Sequence, residues 1–418
     1  LSVASEFAGA PHHAGYSRLA TRLLHFLIFA TILVSPFVVI EPAPYEVLVG
    51  LLGIGCLLAG VTVDRKIMLP VILFLIWNVS GLVALIPVIY DKDAVSFILI
   101  SFYMALTAII FACLIAHDSV RRLSILRMAY IIAAVTVSII AIIGYFNLLP
   151  GAWDNFTLYN RAKGTFKDPN VFGPYLILPL LFLISGALLR GLKLRHIATV
   201  AVILVALLLS FSRAAWAHFI VSAIVMLVLM FISTPSARFR TRLATSTILA
   251  AGGVAVLLVG ILSVGTIGDV FKERASLIQD YDAGDTGRFT KQSESIPVLL
   301  DLPNGFGPYQ FRKIYNQDPH NVYLNAFASY GWAGGISYAI LVLITLWVGY
   351  SNVLKRTPWQ NYLIVALATY TGVVGEGFVI DTDHWRHYYL LMGIVWGLAI
   401  ATINEERRAA YLRAAIKA

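Results

Sequence analysis

Ala94–Ala116 reads AVSFILISFYMALTAIIFACLIA, 23 residues without a charge, set between Asp91-Lys92-Asp93 and His117-Asp118. As a helix it would rise about 35 Å, enough to cross roughly 30 Å of hydrocarbon. The run is continuously apolar, whereas a strand of a membrane barrel would be short and alternating, so it reads as a membrane helix. Eleven further runs have the same character, at about 23–41, 45–63, 68–90, 127–147, 171–190, 197–212, 214–233, 243–264, 321–350, 361–380 and 387–403. The expected fold is therefore an all-α integral membrane protein of about twelve transmembrane helices. It reads as a single polytopic domain over residues 1–418.

Composition agrees. With 59% hydrophobic residues, 13% charged and a mean hydropathy of +0.81, the chain lies far outside the range of soluble domains, and a lipid bilayer is its expected partner. The two cysteines, Cys56 and Cys113, both sit in apolar runs. They offer neither a disulfide framework nor metal-ligand spacing and read as small core residues. The chain opens on Leu1 rather than Met, so its start reads as truncated or extended by foreign residues. The first apolar run has spanning length, so no separate cleavable signal peptide is read. No internal repeat is visible, which weighs against an inverted-repeat transporter.

The loops orient the spans. With the N-terminus cytoplasmic, alternate loops carry Arg65/Lys66, Arg121/Arg122/Arg127, Arg190/Lys193/Arg195, Arg238/Arg240/Arg242 and Lys355/Arg356. Arg18 and Arg22 precede them, and Arg407, Arg408, Arg413 and Lys417 follow. That side holds 19 of the 31 basic residues and 5 of the 22 acidic ones. It is thus +14 and the other side −5, which together make the formal charge of +9. The positive-inside rule then puts both termini in the cytoplasm. The basic balance is a topology signal, and no nucleic-acid partner is expected.

Two outer loops are long, 148–170 and 265–320. Loops of that length in compact proteins are usually functional or disordered. The second holds six basic and eight acidic residues and the turn LPNGFGPYQF at 302–311, which points to a folded lid over the site rather than a solvated linker. Three arginines stand out on this face: Arg161 in YNRAKGTFKDPNVFGPY, Arg213 in the short turn SFSRAAW, and Arg288 in GDTGRF. Arg213 also reads as an arginine snorkelling to the interface, and Arg161 and Arg288 as ordinary ion-pair partners of Asp168 or Asp285. As a group, they suit a diphosphate, through bidentate contacts and permanent charge. Free nucleotide sugars are not available outside the cytoplasm, so the anion is expected to arrive on a lipid, as an isoprenoid-diphosphate glycan.

The loop closes on QDPHNVYL, residues 317–324. Pro319 suits the first turn of a helix, with Asp318 or Asn321 as its cap. There His320 would feel the positive end of the dipole, which favours the neutral imidazole and a role as general base. The plain alternative is an interfacial histidine with its hydrogen bonds satisfied. A further cluster, VIDTDHWRHYY, holds Asp381, Asp383, His384, Arg386 and His387. These are metal-ligand types, yet an ion-paired rim with Arg386 near the substrate is the preferred reading, and no metal or cofactor is expected. Glu376, in GEGF, reads as an alternative base or an ion-pair partner of one of the arginines. Asn321 and Tyr323 complete the candidates; tyrosines here suit sugar stacking or an interfacial belt equally.

Taken together, RAKGTFKDPNVFGPYL, FSRAAW, GDTGRF and HNVYLNAFASYGWAGG resemble, in order and sidedness, the O-antigen ligase superfamily, mainly over residues 155–340. That superfamily comprises lipopolysaccharide O-antigen ligases and related O-antigen or exopolysaccharide polymerases. The resemblance implies about twelve transmembrane helices with a large periplasmic loop before the tenth span. It also implies a multi-pass protein of the bacterial inner membrane with its active site facing the periplasm. The implied activity is metal-independent transfer of a glycan from undecaprenyl diphosphate to lipid A-core, or to a growing glycan in a polymerase. His320 matches the family's base, Arg213 and Arg288 its diphosphate-binding arginines, and Arg161 lies in a matching segment; Arg274 and Arg312 share the loop of Arg288. A transporter is the remaining alternative and would place ionisable residues in mid-span.

Overall fold

The computed structural model describes residues 18–38, 43–191, 193–263, 271 and 287–417. These are almost wholly helical. In chain order they are α1 (Arg18–Val34), α2 (Pro44–Leu58), α3 (Met68–Leu85), α4 (Lys92–Ala116), α5 (Ser119–Tyr145), α6 (Ala152–Phe156), α7 (Pro169–Tyr175), α8 (Ile177–Arg190), α9 (Leu194–Leu209) and α10 (Arg213–Ser233). Then come α11 (Ala237–Leu262), α12 (Arg288–Leu300), α13 (Gln310–Tyr315), α14 (Val322–Val353), α15 (Gln360–Glu376) and α16 (Arg386–Lys417). A two-residue hairpin pairs β1 (Thr157–Leu158) with β2 (Arg161–Ala162). Seven helical segments are long and apolar enough to cross a membrane, which makes this an all-α, multi-pass membrane protein. They are Arg65–Val88, Lys92–Ala116, Ser119–Tyr145, Pro169–Arg190, Arg213–Ser233, Val322–Val353 and Arg386–Ile416. α1, α2 and α9 are shorter apolar helices.

The bundle centres on three packed pairs: α4 with α16, α3 with α14, and α10 with α15. In the first, Gly393 and Gly397 let α16 approach α4 backbone to backbone. A Cβ at Gly393 would lie 2.7 Å from the Ala108 carbonyl, and one at Gly397 2.8 Å from that of Ala112. Lipid gives little hydrophobic drive between helices, so small residues allowing such close contact carry the association. Cys56 and Cys113 are buried free thiols, packed as small apolar residues.

α14 is broken at Gly331, whose φ of 69° and ψ of −173° are not helical. Two rungs of the ladder are lost, and each is replaced from outside. The Ala328 carbonyl accepts from the N–H groups of Phe306 (2.8 Å) and Gly307 (3.1 Å), while the Trp332 N–H donates to the Pro303 carbonyl at 2.8 Å. Two rungs on, the Ser80 hydroxyl of α3 donates to the Tyr330 carbonyl and accepts from the Gly334 N–H. Buried backbone groups must be satisfied, especially in a membrane protein; here the PNGFG turn of the long loop does it. Leu299 and Phe311 pack behind this turn onto Ala328, and Lys313 pairs with Asp91 at 2.5 Å. The described part of the loop is thus folded onto the bundle, whereas Arg274 and Asp285 lie outside the described residues.

Loop contacts sort the two ends. Val38 N–H to the Thr165 carbonyl, Val322 N–H to the Gly377 carbonyl, and the Lys313–Asp91 pair gather the connections around His320. The opposite end ties Lys66 to Asn404 (2.7 Å) and Lys355 to Glu406 (2.6 Å).

Gly331→Ala should destabilise the purified protein by about 1–3 kcal/mol, the cost of a side chain in strained backbone; its Cβ would also meet the Pro303 carbonyl at 2.5 Å. Gly252→Ala in α11, with nothing within 4 Å, should be neutral or stabilising by up to about 1 kcal/mol. Equal thermal midpoints for the two variants would contradict this role for the break.

Candidate active site

Pro319 does not enter the first turn of α14, as the sequence had led us to expect. The helix begins at Val322, capped by Asn321, whose side chain accepts from the Leu324 N–H at 3.1 Å. His320 stands one residue earlier with φ of 47°, a left-handed conformation uncommon for a residue with a side chain. A carboxylate from another loop holds it there. Asp381 Oδ2 accepts from the His320 N–H at 3.0 Å and Oδ1 from the Asn321 N–H at 3.1 Å, so one side chain satisfies two N–H donors at the mouth of the helix.

Burial sets the protonation of His320. It lowers the imidazole below its ordinary value, with Asp318 pulling upward and Arg288 pushing down. The lowering expected from the helix dipole is therefore supplied mainly by desolvation. Asp318 does not cap α14; it takes a two-pronged ion pair from Arg312, at 2.9 and 2.5 Å. The Asp381 carboxyl moves the other way, raised well above the usual carboxylate range by burial and by the neighbouring charges of Asp383 and Asp318.

The arginines converge on the same end. Arg288 begins α12 and lies close enough to His320 for its charge to count. Its Nη1 donates to the Val379 carbonyl at 3.3 Å, in the loop that carries Asp381, and its guanidinium covers the Phe289 ring. Arg213 begins α10 behind the turn Ser210-Phe211-Ser212, with Ser212 as N-cap. Arg161 reaches that turn from β2: its Nε donates to the Ser210 carbonyl at 2.8 Å and its Nη2 to Asn170 Oδ1 at 2.6 Å. Asp168 caps α7 through the Asn170 N–H at 2.6 Å, and its charge also bears on His320. The two segments holding Arg161 and Arg213 are thus locked together.

Other candidates have structural partners. Among the described residues Glu376 is paired with no arginine; its Oε2 meets His218 Nδ1 of α10 at 2.7 Å, both side chains wholly buried. Nothing in the sequence linked His218, in the second turn of α10, to Glu376 158 residues away. The Tyr323 hydroxyl donates to the Val374 carbonyl at 2.7 Å. Arg386 pairs with Glu46 of α2, and His384 lies between Asp383 Oδ2 (3.2 Å) and the Phe97 carbonyl (3.1 Å). Burial opposes the charged form of His384, yet Asp383 and these two acceptors raise its pKa above the ordinary value. Among the described residues there is no group of three or more histidine, cysteine or acidic side chains arranged to hold a metal.

A cavity of about 800 Å3 opens beside these residues, lined by parts of α2, α4, α5, α7 and the start of α16. Lys167, Tyr309 and His384 all line it, each within a few residues of a group that contacts or influences His320. Sequence reading missed this cavity, because its walls come from segments up to 355 residues apart (Ser35 to Leu390).

Residues 198–339 match the family described as O-antigen ligase, a match that covers about a third of the chain and supports the O-antigen ligase superfamily. Arg213, Arg288 and His320 fall inside the matched segment; Arg161, Glu376 and Arg386 fall outside it. No curated protein matches the chain.

Removing the acceptor of two N–H groups should matter more than changing its charge. Asp381→Ala should cost about 1–3 kcal/mol, and Asp381→Asn, which keeps an oxygen, clearly less. Because the folded carboxyl is raised, its contribution to stability is complete below about pH 4 and is lost as the pH rises through the raised value. Asp381→Asn should flatten that decline in denaturation curves recorded from pH 4 to 8; an unchanged slope would contradict the buried placement of the carboxyl.

Proposed function

We propose that this protein is an O-antigen ligase, transferring a glycan from undecaprenyl diphosphate to a sugar hydroxyl of lipid A-core. The family match over residues 198–339 supports O-antigen ligase or polymerase-like function; the donor, the acceptor, the mechanism and the periplasmic placement are our reading. In that reading the chain crosses the bacterial inner membrane about twelve times, with both termini cytoplasmic and the His320 end periplasmic. Residues 265–320 are the large periplasmic loop of that reading, and its described part, 287–320, lies against the bundle at the His320 end. The observation that carries the proposal is the meeting at one end of the bundle of a half-buried, neutral-favouring histidine and an arginine whose charge bears on it. The turn of Arg213 is bound to Arg161 at that same end.

The chemistry is a single displacement. His320 takes the proton of the acceptor hydroxyl, whose oxygen bonds to the anomeric carbon of the donor. The bond from that carbon to the diphosphate oxygen breaks, and its electron pair leaves with undecaprenyl diphosphate. One displacement inverts the anomeric configuration. Arg213 and Arg288, with Arg161 supporting, would face the growing negative charge, and such preorganised stabilisation is often the largest catalytic contribution. The roles given to these residues need no metal. The lowered pKa of His320 keeps the base neutral at and below neutral pH.

Purified protein with a lipid-diphosphate glycan, offered both lipid A-core and a second repeat unit, tests the proposal. Product on lipid A-core is expected; chain extension instead would assign a polymerase using the same donor, and no transfer would reopen the transporter reading. His320→Ala and Arg213→Ala should each reduce transfer at least about tenfold with expression intact. Near-normal rates would refute the assigned roles. The acid limb of the pH–rate profile should have its midpoint below about 6.5, the ordinary histidine value, since neutral His320 is lost only as the pH falls through its lowered pKa. A midpoint above that value would exclude His320 as the titrating base.

A further inference from the structure

The short segment from Glu376 to Asp381 holds several parts of the site at once. The Gly377 carbonyl accepts from the Val322 N–H at 2.8 Å, at the start of α14. The Val379 carbonyl accepts from Arg288 at 3.3 Å, and Asp381 accepts from the N–H groups of His320 and Asn321. These grips fix the base and one arginine. A further grip reaches the helix that Arg213 begins: Glu376 Oε2 lies 2.7 Å from His218 Nδ1 of α10.

The histidine is set lengthwise between the two helices. Its Nε2 donates to the Thr369 carbonyl at 3.0 Å, while Nδ1 meets Glu376. Between these two partners is Gly372, where a Cβ would come within 2.3 Å of the imidazole and 2.9 Å of the His218 carbonyl. Thr369, Gly372 and Glu376 follow at intervals of three and four, which is one face of a helix. One side chain therefore spans two turns of α15. His218 stands five residues after Arg213, about 7.5 Å along α10 and about 140° round it. Sliding or rotation of α10 against α15 would break one of the two bonds and carry Arg213 with it. Shear between packed helices is a common motion, and the histidine opposes it at both ends.

The contribution of the pair is geometric. A carbonyl only accepts, so His218 Nε2 carries a proton. Nδ1 then either donates to a Glu376 carboxylate or accepts from a Glu376 carboxyl. Both arrangements are net neutral, so the pair adds no net charge beside the arginines. Both side chains are wholly buried, which keeps them from touching a substrate and excludes Glu376 as the base. Replacing such a pair by well-packed apolar residues is often neutral or stabilising, so stability alone does not account for it.

We propose that His218 and Glu376 are positioning residues: the pair sets the Arg213 end of α10 in register with the 377–381 segment that holds His320 and Arg288. The spacing between Arg213 and the base is thereby fixed although the two lie on different elements. The proposal rests on the transferase reading for what Arg213 and His320 do; the register itself does not.

Transfer kinetics and hydrogen exchange on the full chain in nanodiscs test it. Glu376→Ala should lower transfer about ten- to a hundredfold, the effect of a misplacement of roughly 1 Å. Glu376→Gln, whose amide N–H donates to Nδ1, should stay within about threefold of wild type. In an Arg213→Ala background Glu376→Ala should cost no more than about twofold further, since a residue acting through Arg213 then has nothing to place. The double variant His218→Leu/Glu376→Leu should keep its thermal midpoint and still transfer poorly. Exchange at residues 212–217 and 320–324 should quicken together in Glu376→Ala. Thr345→Val, which removes the buried Trp396–Thr345 bond elsewhere in the bundle, should change neither. Near-normal transfer by Glu376→Ala or the double leucine variant, losses that multiply with Arg213→Ala, or glutamine as poor as alanine overturns the proposal. Coupled exchange in a protein that transfers to no acceptor counts against the transferase reading alone. Transfer by the wild type, with neither rate nor exchange responding to these substitutions, counts against the pair alone.

Discussion

The Asp381 carboxylate, shared between the backbone N–H groups of His320 and Asn321, is the contact on which the site depends. The mouth of a helix leaves several N–H groups unsatisfied, and in a membrane protein few partners are to hand. Asp381 supplies two acceptors from a different inter-helix loop. It thereby fixes His320 in a left-handed conformation that the chain would not hold unaided. The neighbouring bond from the Val322 N–H to the Gly377 carbonyl joins the same two segments again. The histidine is placed by what lies across from it rather than by the proline before it.

The long loop is positioned by a similar exchange. Gly331 breaks α14 and frees a carbonyl and an N–H that would have bonded to each other. The loop takes both, and a hydroxyl from α3 bridges the Gly334–Tyr330 rung. A defect in one helix thus becomes the docking point for the segment carrying Arg288 and Arg312. Asp91 helps to hold it: hydrogen bonds from Lys313 and Gln310 keep that carboxyl down at about 2. The arrangement sets the loop's guanidiniums near His320 without burying them in the apolar core, where charge is costly.

Much of this was legible in the chain. Uncharged runs such as Ala94–Ala116 identify membrane helices because hydrocarbon tolerates no unsatisfied backbone and little charge. Each expected run overlaps helical structure where it is described, the run at 171–190 being divided between α7 and α8, and among the described residues seven segments are long and apolar enough to span by themselves. Arg161, Arg213, Arg288 and His320 were legible as a group because charge at the ends of apolar runs is informative. The partners were not. Glu376 belongs to His218, Arg386 to Glu46, and Asp318 to Arg312, and no spacing along the chain announces pairs 6 to 340 residues apart.

Hydropathy and charge, which act residue by residue against the surrounding medium, let the sequence by itself determine the helical membrane class and the face on which polar chemistry gathers. Distances between groups on different helices depend on how the bundle packs, and only the tertiary structure decided those. Packing turned Pro319 from a helix starter into part of a held turn, assigned Asp381 to the backbone of His320, and enclosed an aromatic cavity from five helices. Each of these outcomes is a matter of satisfying buried polar groups across long sequence separation, which no local pattern records.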